Sequence, residues 1–493
     1  LGSNIPDGVS AILRFDSEFN IEVLTNKIAS RTIWYYFDSK QLIVSTSQRM
    51  IINILGDYDH SEHSSSWFLS SGNLGPGNSW DSRIEHLNYD SSIYLNKSKW
   101  ELKLKKGERL KIKNQKKDNS ANMLEIIKGS FLETDLKNTK NVLTLSGGYD
   151  SRLVLELLKE NKVDFSTLTW GTLDSFNNTD TDTYIAKKVA EKNQLIFDFY
   201  NVEDNITDFD AFLEKFVQAG EARIDHLSNF VDNFRMWEDF VSQGKEVVIR
   251  SDEVFGWLHV ADEKNIRLIM EMTDLGDYSN FQNIEFYGMK KTTIPKEYLK
   301  TESESLYSYR DRLFNIYRQT FIQTSLHDLM YSYSEMVNPL FSNEIIDFCR
   351  NLNDKERTNK SLYIKSIKNL INYLPIASRS SYPSRENVLK SDTAYNYFIE
   401  KLNSKKAERF FSKELLEKIL SGLRKDDEKK RNLDSRMKIF LSENTPYFLK
   451  NLIRKRFRKF EMDYNLMAFR VVVIMKWVEL IDQDLNYINE SKK

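Results

Sequence analysis

The chain has 493 residues, 40% apolar and 29% charged, with 71 Lys and Arg set against 72 Asp and Glu. That length predicts two to four domains with a packed core, and the formal net charge of −1 gives no reason to expect a nucleic acid or an anionic membrane as partner. A single cysteine, Cys349, excludes an internal disulfide framework and a multi-cysteine zinc site, and its apolar neighbours predict a small core residue. The longest apolar stretch, Val471 to Ile481, is too short to span a bilayer and contains Lys476 and Glu479. The chain opens on Leu1 without a signal-peptide pattern, so a reducing cytoplasm is the expected compartment.

Residues 1 to about 112 read as β-rich. Strands are predicted over 8–15, 32–37, 41–46, 91–95 and 100–104, with the second and third joined in a hairpin by Asp38-Ser39-Lys40. Residues 61–82, rich in Ser, Gly and Asn, predict loops. The basic stretch Lys105 to Lys117 is the expected connector, which divides the chain into 1–115 and 116–493. Beyond it, strand patterns at 141–145, 164–170, 194–200 and 246–250 alternate with helical patterns at 151–160, 180–192 and 208–243 in pieces. This order predicts an α/β fold with a parallel sheet and right-handed crossovers. From about 256 the pattern is mostly helical, above all over 301–333 and 394–493.

The most informative run is Ser146-Gly147-Gly148-Tyr149-Asp150-Ser151, between a predicted buried strand and a predicted helix. Glycines let the backbone approach an anion, and the N–H groups opening a helix point at it with the favourable end of the helix dipole. Ser146 and Ser151 add hydroxyl donors, and Asp150 suits a Mg²⁺ that bridges phosphate oxygens. The loop lacks the lysine of a Walker A sequence, and the alternative is an ordinary Gly-Gly turn before a helix. A second acidic run, Ser251-Asp252-Glu253-Val254-Phe255-Gly256, follows the strand at 246–250. Its two carboxylates suit a second Mg²⁺ position. The competing reading is a helix start, with Ser251 as cap and the acids favouring the dipole.

The first run resembles the SGGxDS loop of the PP-loop ATP pyrophosphatases, which split ATP into AMP and pyrophosphate. Both runs together resemble the asparagine synthetase-like family, which includes asparagine synthetases, β-lactam synthetases and lasso-peptide cyclases. The resemblance implies a β-rich, incomplete Ntn-amidotransferase-like domain over 1–115, then a PP-loop synthetase domain over 116–493 with a helical extension. It implies Asp150 and Asp252 as Mg²⁺ ligands, and ATP phosphates on Ser146, Gly147, Gly148, Asp150 and Ser151. Leu168, Thr169 and Trp170 match the strand whose edge meets adenine, and Asp182-Thr183-Tyr184-Ile185-Ala186 matches a D-x-x-x-A helix start. Asn338 to Asn343 resembles the family's PFLD element, and Lys360 to Lys365 with Leu374-Pro375 resembles a later helix.

The departures from that pattern are informative. Residues 8–12 and 30–36 match the second half of the family's N-terminal domain, so glutamine hydrolysis has no visible nucleophile in these 493 residues. Ile249 stands where asparagine synthetases have Glu and β-lactam synthetases have Tyr, which makes aspartate an unlikely substrate. Arg379-Ser380-Ser381 replaces the family's R-x-K, and Lys360, Lys365 or Lys390 is the candidate substitute. Asp252, Glu253 and Lys360 are the expected catalytic residues, and Glu221 and His226 are candidate substrate contacts against the reading of a solvated, capping cluster. The basic run Arg454 to Lys459 reads as a solvated helix face, or else as a surface for an acidic peptide.

The resemblance thus implies an ATP- and Mg²⁺-dependent ligase. It would join a carboxylate-bearing small molecule or peptide to an amine or ammonia through an acyl-adenylate, giving an amide, lactam or macrolactam. The alternatives are another PP-loop adenylating activity, such as nucleotide-base modification, and a nucleotide-binding pseudoenzyme or scaffold.

Overall fold

In a computed structural model of the chain, residues 1, 7–107, 112, 122–132, 136–202, 206–381, 385–425 and 460–491 are described. The basic run at 454–459 and most of the 105–117 connector lie outside them.

Residues 7–107 build two antiparallel sheets. Strands β1 (Ala11–Phe15), β2 (Ile21–Thr25), β6 (Ser92–Asn96) and β7 (Glu101–Lys105) form one, in the order β1-β2-β6-β7. Strands β3 (Trp34–Phe37), β4 (Leu42–Ser45) and β5 (Glu85–His86) form the other, in the order β4-β3-β5. Val23, Ile33, Tyr35, Leu87 and Ile93 supply a shared core from both sheets, as expected when strands alternate apolar-in and polar-out. Helix α1 (Gln48–Leu55) follows β4.

The loop expected at 61–82 contains helix α2 (Glu62–Ser71) instead. Ser61 caps it by accepting the Ser64 N–H, and Gly72 ends it at φ +73°. Trp67, Phe68 and Leu69 are fully buried. Their burial overrides the weak helix propensity of three consecutive serines. Ser70 hydrogen-bonds the Trp67 carbonyl, so its hydroxyl is satisfied inside the core.

The centre of the molecule is a five-stranded parallel sheet. It contains β8 (Asn141–Thr144), β9 (Phe165–Gly171), β10 (Phe197–Asn201), β11 (Val247–Ile249) and β12 (Glu335–Val337), in the order β10-β9-β8-β11-β12. Helices α3 (Met123–Leu132), α4 (Tyr149–Glu160), α5 (Leu173–Asn177), α6 (Asp182–Lys192), α7 (Phe209–Gly220) and α8 (Arg235–Ser242) accompany it. Val142 and Val248 face one hydrophobic core and Leu143 and Ile249 the other. Both faces of β8 and β11 are therefore covered, which explains the consecutive apolar residues Val142-Leu143 and Val247-Val248-Ile249.

The chain lays β9 and β10 on one side of β8 and then β11 on the other. The crevice between the carboxyl ends of β8 and β11 is therefore the topological switch point, where open α/β sheets bind ligands. The loops at 145–148 and 250–256 flank it.

The remainder is largely helical. It comprises α9 (Glu263–Ile269), α10 (Leu306–Leu313), a ten-residue π-helix Phe314–Gln323, α11 (Thr324–Tyr331), α12 (Asn343–Asn351), α13 (Asp354–Arg357) and α14 (Ser361–Ile371). It continues with α15 (Arg385–Leu389), α16 (Asp392–Leu402), α17 (Lys413–Gly422) and α18 (Tyr464–Ser491). Among the described residues no helix is long and apolar enough to cross a membrane. One hydrophobic core holds Trp34, Ile51, Phe68 and Trp80 together with Val142, Phe212 and Trp477. This core joins described residues of the 1–115 segment to described residues of 116–493.

Candidate functional site

The Ser146–Ser151 loop is a tight, internally bonded turn. The Ser146 N–H donates to Ser151 Oγ at 3.0 Å, the two hydroxyls lie 2.8 Å apart, and the Gly148 N–H donates to Ser146 Oγ at 3.2 Å. A Cβ on Gly147 would sit 2.6 Å from the Ala377 Cβ, so this glycine is required by close packing. The Gly147 N–H donates to Asp182 Oδ1 at 2.8 Å, and its carbonyl accepts from Arg152 and from the Ala377 N–H. Burial pushes the Asp182 carboxyl above its ordinary value, against the pull of that N–H. Helix α4 then begins at Gly148 with no side-chain cap. The loop's own amides are thus largely satisfied within the protein, and the first turn of α4 carries the remaining capacity for an anion.

Residues 251–258 are not helical. The helix-start reading of Asp252 and Glu253 therefore fails. The segment docks on the turn before α14. A Cβ on Gly256, at φ +128°, would lie 1.9 Å from the Arg357 carbonyl oxygen, which only glycine tolerates. The Asn359 N–H donates to the Trp257 carbonyl at 2.9 Å, and Phe255 stacks on Tyr363 with ring centroids 3.9 Å apart.

This docking sends the two acids in different directions. Glu253 accepts the Phe255 N–H and lies 2.9 Å from Lys360 Nζ, which reaches Asp150 Oδ2 at 2.8 Å. Lys360 therefore bridges the two sequence-identified loops. Burial pushes the Glu253 carboxyl up, with Lys360 opposing. Burial works against the Lys360 charge, yet Glu253 and Asp150 hold its ammonium above the ordinary lysine value. Burial with those two carboxylates nearby also raises the Tyr363 hydroxyl well above its ordinary value.

Asp252 faces away from this cluster. Its Oδ2 lies 3.2 Å from Arg250 Nε, 3.2 Å from His327 Nε2 and 3.3 Å from Asn338 Nδ2. Its Oδ1 lies 3.2 Å from Arg250 Nη2 and 3.4 Å from Gln323 Nε2. Burial alone would raise its carboxyl, but Arg250 and His327 hold it well below the usual carboxylate range.

A cavity of about 120 Å³ opens at the strand ends, lined by Thr144, Ser146, Thr169, Trp170, Asp182, Arg250, Ser251 and Asp252. Thr169 and Trp170 thus reach the crevice. Leu168 does not: it is fully buried, and its carbonyl accepts the Leu145 N–H. Glu221 and His226 are also elsewhere. Glu221 caps α1, accepting from Ser47 Oγ and the Gln48 N–H, and His226 pairs with Glu271 at 2.9 Å. Cys349 is buried and packs in a hydrophobic core.

The expected Mg²⁺ ligands differ in fitness. Among the described residues no group of three or more His, Cys, Asp or Glu side chains is placed to hold a metal ion. Asp150 Oδ1 is buried without a hydrogen-bond partner, which suits the habit of Mg²⁺ of taking one or two carboxylates plus substrate phosphates. Asp252 does not suit it, because both its oxygens already face nitrogen groups. Arg250, Gln323 and His327 were not singled out from sequence. Arg250 was visible at a strand end, but no motif marks Gln323 or His327, which the end of the π-helix and the first turn of α11 bring to Asp252. A scan against protein-family models finds no match to this chain, and a search of curated proteins finds none either.

Proposed function

We propose that the β8–β11 crevice binds Mg-ATP and that the chain is an AMP-forming carbon–nitrogen ligase. The carrying observation is the position of the Ser146–Ser151 and Ser251–Gly256 runs. They flank the switch point of the sheet, with Lys360 joining them. The cavity of about 120 Å³ is smaller than the roughly 300–1,000 Å³ of whole-ligand pockets, so a nucleotide would insert its phosphates and extend beyond it.

In this reading the first turn of α4 and the Ser146 and Ser151 hydroxyls bind phosphate oxygens. Asp150 would hold a Mg²⁺ that neutralises charge on the phosphates. Lys360 swings from Asp150 and Glu253 towards the leaving pyrophosphate, adding a cation where negative charge develops. The substrate carboxylate attacks the α-phosphorus, the bond to the β-phosphate oxygen breaks, and pyrophosphate leaves. An amine then attacks the acyl carbon and loses a proton, and AMP departs with the electron pair of the acyl–oxygen bond. The product is an amide.

The test is exchange of labelled pyrophosphate into ATP with a pool of carboxylic acids. Acid-dependent exchange that is lost in Asp150→Ala supports the reading. Mg-ATP binding without exchange for any acid favours the nucleotide-binding scaffold, which the saturated surroundings of Asp252 also support.

A further inference from the structure

We propose that Asp150 and Glu253, with the Tyr363 hydroxyl beside them, form a divalent-cation site, and that the Lys360 ammonium fills it until the metal arrives. The site replaces the Asp150–Asp252 pair that the sequence resemblance implies, because both Asp252 oxygens already face nitrogen groups. The inference rests on the Mg-ATP reading for the metal's purpose, and on this cluster alone for its ligands.

Lys360 Nζ lies 2.8 Å from Asp150 Oδ2 and 2.9 Å from Glu253 Oε1, so carboxylates from two separate loops converge on one cation. A single ammonium answers two carboxylates there, whereas Mg²⁺ would neutralise both. Its Mg–O distances of about 2.0–2.1 Å would draw the two oxygens slightly inward. Two further oxygens of the cluster, Asp150 Oδ1 and the Tyr363 hydroxyl, are buried without a hydrogen-bond partner among the described residues. Tyr363 is fully buried, and the charges of Asp150 and Glu253 both act on its hydroxyl, which places it at the same spot. Buried polar atoms are rarely left unsatisfied, and an ion or a water is the usual missing partner. Mg²⁺ keeps several waters when it binds, and these would serve both orphaned oxygens. Phe255 fixes the arrangement: its N–H holds Glu253 Oε2, which leaves Oε1 to the cation, and its ring stacks on Tyr363 at 3.9 Å. None of Asp150, Glu253, Lys360 and Tyr363 lines the strand-end cavity, so the metal would stand beside the phosphates rather than in their place. The side chains of Lys360 and Asp150 are 26% and 24% exposed, which gives a metal its way in from solvent.

The test titrates the intact chain with Mn²⁺ alone, without nucleotide, and reads free Mn²⁺ by electron paramagnetic resonance. Lys360→Met removes the competing ammonium and should tighten Mn²⁺ binding roughly tenfold or more. Adding Glu253→Gln should erase that gain. Mn²⁺ should also return the urea stability that Lys360→Met loses, as a ligand of the folded state alone does. Glu253→Gln by itself keeps the Lys360–Asp150 pair, so it tests the site even if Lys360→Met does not fold. It should weaken Mn²⁺ binding about tenfold relative to the wild type through the lost ligand charge, whereas Asp252→Asn should leave it unchanged. Equal Mn²⁺ affinity in the wild type and Lys360→Met, or a gain that survives Glu253→Gln, would make the cluster a structural ion pair and overturn the site. A larger loss in Asp252→Asn than in Glu253→Gln would return the metal to Asp252 and overturn it equally. Mn²⁺ held by Asp150 and Glu253 in a chain that binds no ATP would uphold the site while the Mg-ATP reading fails.

Discussion

Lys360 occupies a backbone conformation that costs free energy. Both Asn359 (φ +55°) and Lys360 (φ +54°) are left-handed, and side-chain-bearing residues adopt that region rarely. A buried lattice next to them holds the turn. Arg357 Nε meets Asp311 at 2.7 Å, Asp311 meets Arg310, and Arg357 Nη2 meets Asp354 at 2.6 Å. Its product is one ammonium between two carboxylates. Lys360→Met would leave Asp150 and Glu253 facing each other. A loss of about 2 kcal/mol is expected, below the cost of breaking a fully buried pair because Lys360 and Asp150 are each about a quarter exposed. Urea unfolding measures it. Adding Glu253→Gln to Lys360→Met should recover most of the loss, and strict additivity would argue against the bridge.

His86 supplies a pH dependence at the same scale. It is fully enclosed between Trp34 and Phe321, and burial beside Arg223 lowers its imidazole from 6.5 to about 3. Between those values the unfolded chain takes up a proton that the folded chain refuses. Stability therefore falls as pH falls from 6.5 towards 3, with a slope approaching about 1.4 kcal/mol per pH unit. His86→Phe removes this proton uptake. Urea titrations from pH 7 to 5 should give a shallower decline for the variant, and identical slopes would show that His86 already protonates in the fold.

At the level of elements, two glycines set the site for different reasons. Gly147 lacks room for a Cβ against Ala377, and Gly256 lacks room against the backbone of Arg357. Gly256→Ala must move the Asn359–Lys360 turn, so it should lower stability by about 2 kcal/mol or more and also weaken Mg-ATP binding. Thermal unfolding and nucleotide titration on the same sample check both. A change in one without the other would separate the turn from the site.

Four of the five parallel strands were legible as short runs between helical patterns, most clearly β8 and β11, whose two faces are both buried. In contrast, β12, three residues long at the sheet edge, was lost in a stretch that reads as helical. The two loops were legible because their residues are adjacent in sequence. Helix α2 was not, since its serines carry the local signature of a loop and only long-range burial of Trp67, Phe68 and Leu69 decides otherwise. The surroundings of Asp252 were not legible either. Gln323 ends a π-helix and His327 lies in the first turn of α11, and the wider π winding before them has no sequence rule comparable to the 3.6-residue repeat. Glu221 and His226 read as a charged cluster, yet the fold uses one in a helix cap and places the other within hydrogen-bonding distance of Glu271.

Over the whole molecule, the β-rich segment and the sheet share one core. Trp80 is fully buried, packs against Phe68 and Trp477, and donates its Nε1–H to the Glu221 carbonyl at 2.9 Å. It joins residues from near both ends of the sequence and from the middle. Trp80→Ala should cost about 3–5 kcal/mol, and it should shift one cooperative transition seen by both far-ultraviolet and tryptophan signals. Separation of those signals into two transitions would show that the β-rich segment unfolds on its own.

The proposal that the β8–β11 crevice is a nucleotide site is tested most directly by hydrogen exchange with and without Mg-ATP. Nucleotide should slow exchange over 146–152, 250–257 and 358–363, and Asp150→Ala should abolish the effect. Unchanged exchange in all three segments at saturating Mg-ATP, or protection confined to other parts of the chain, would contradict it.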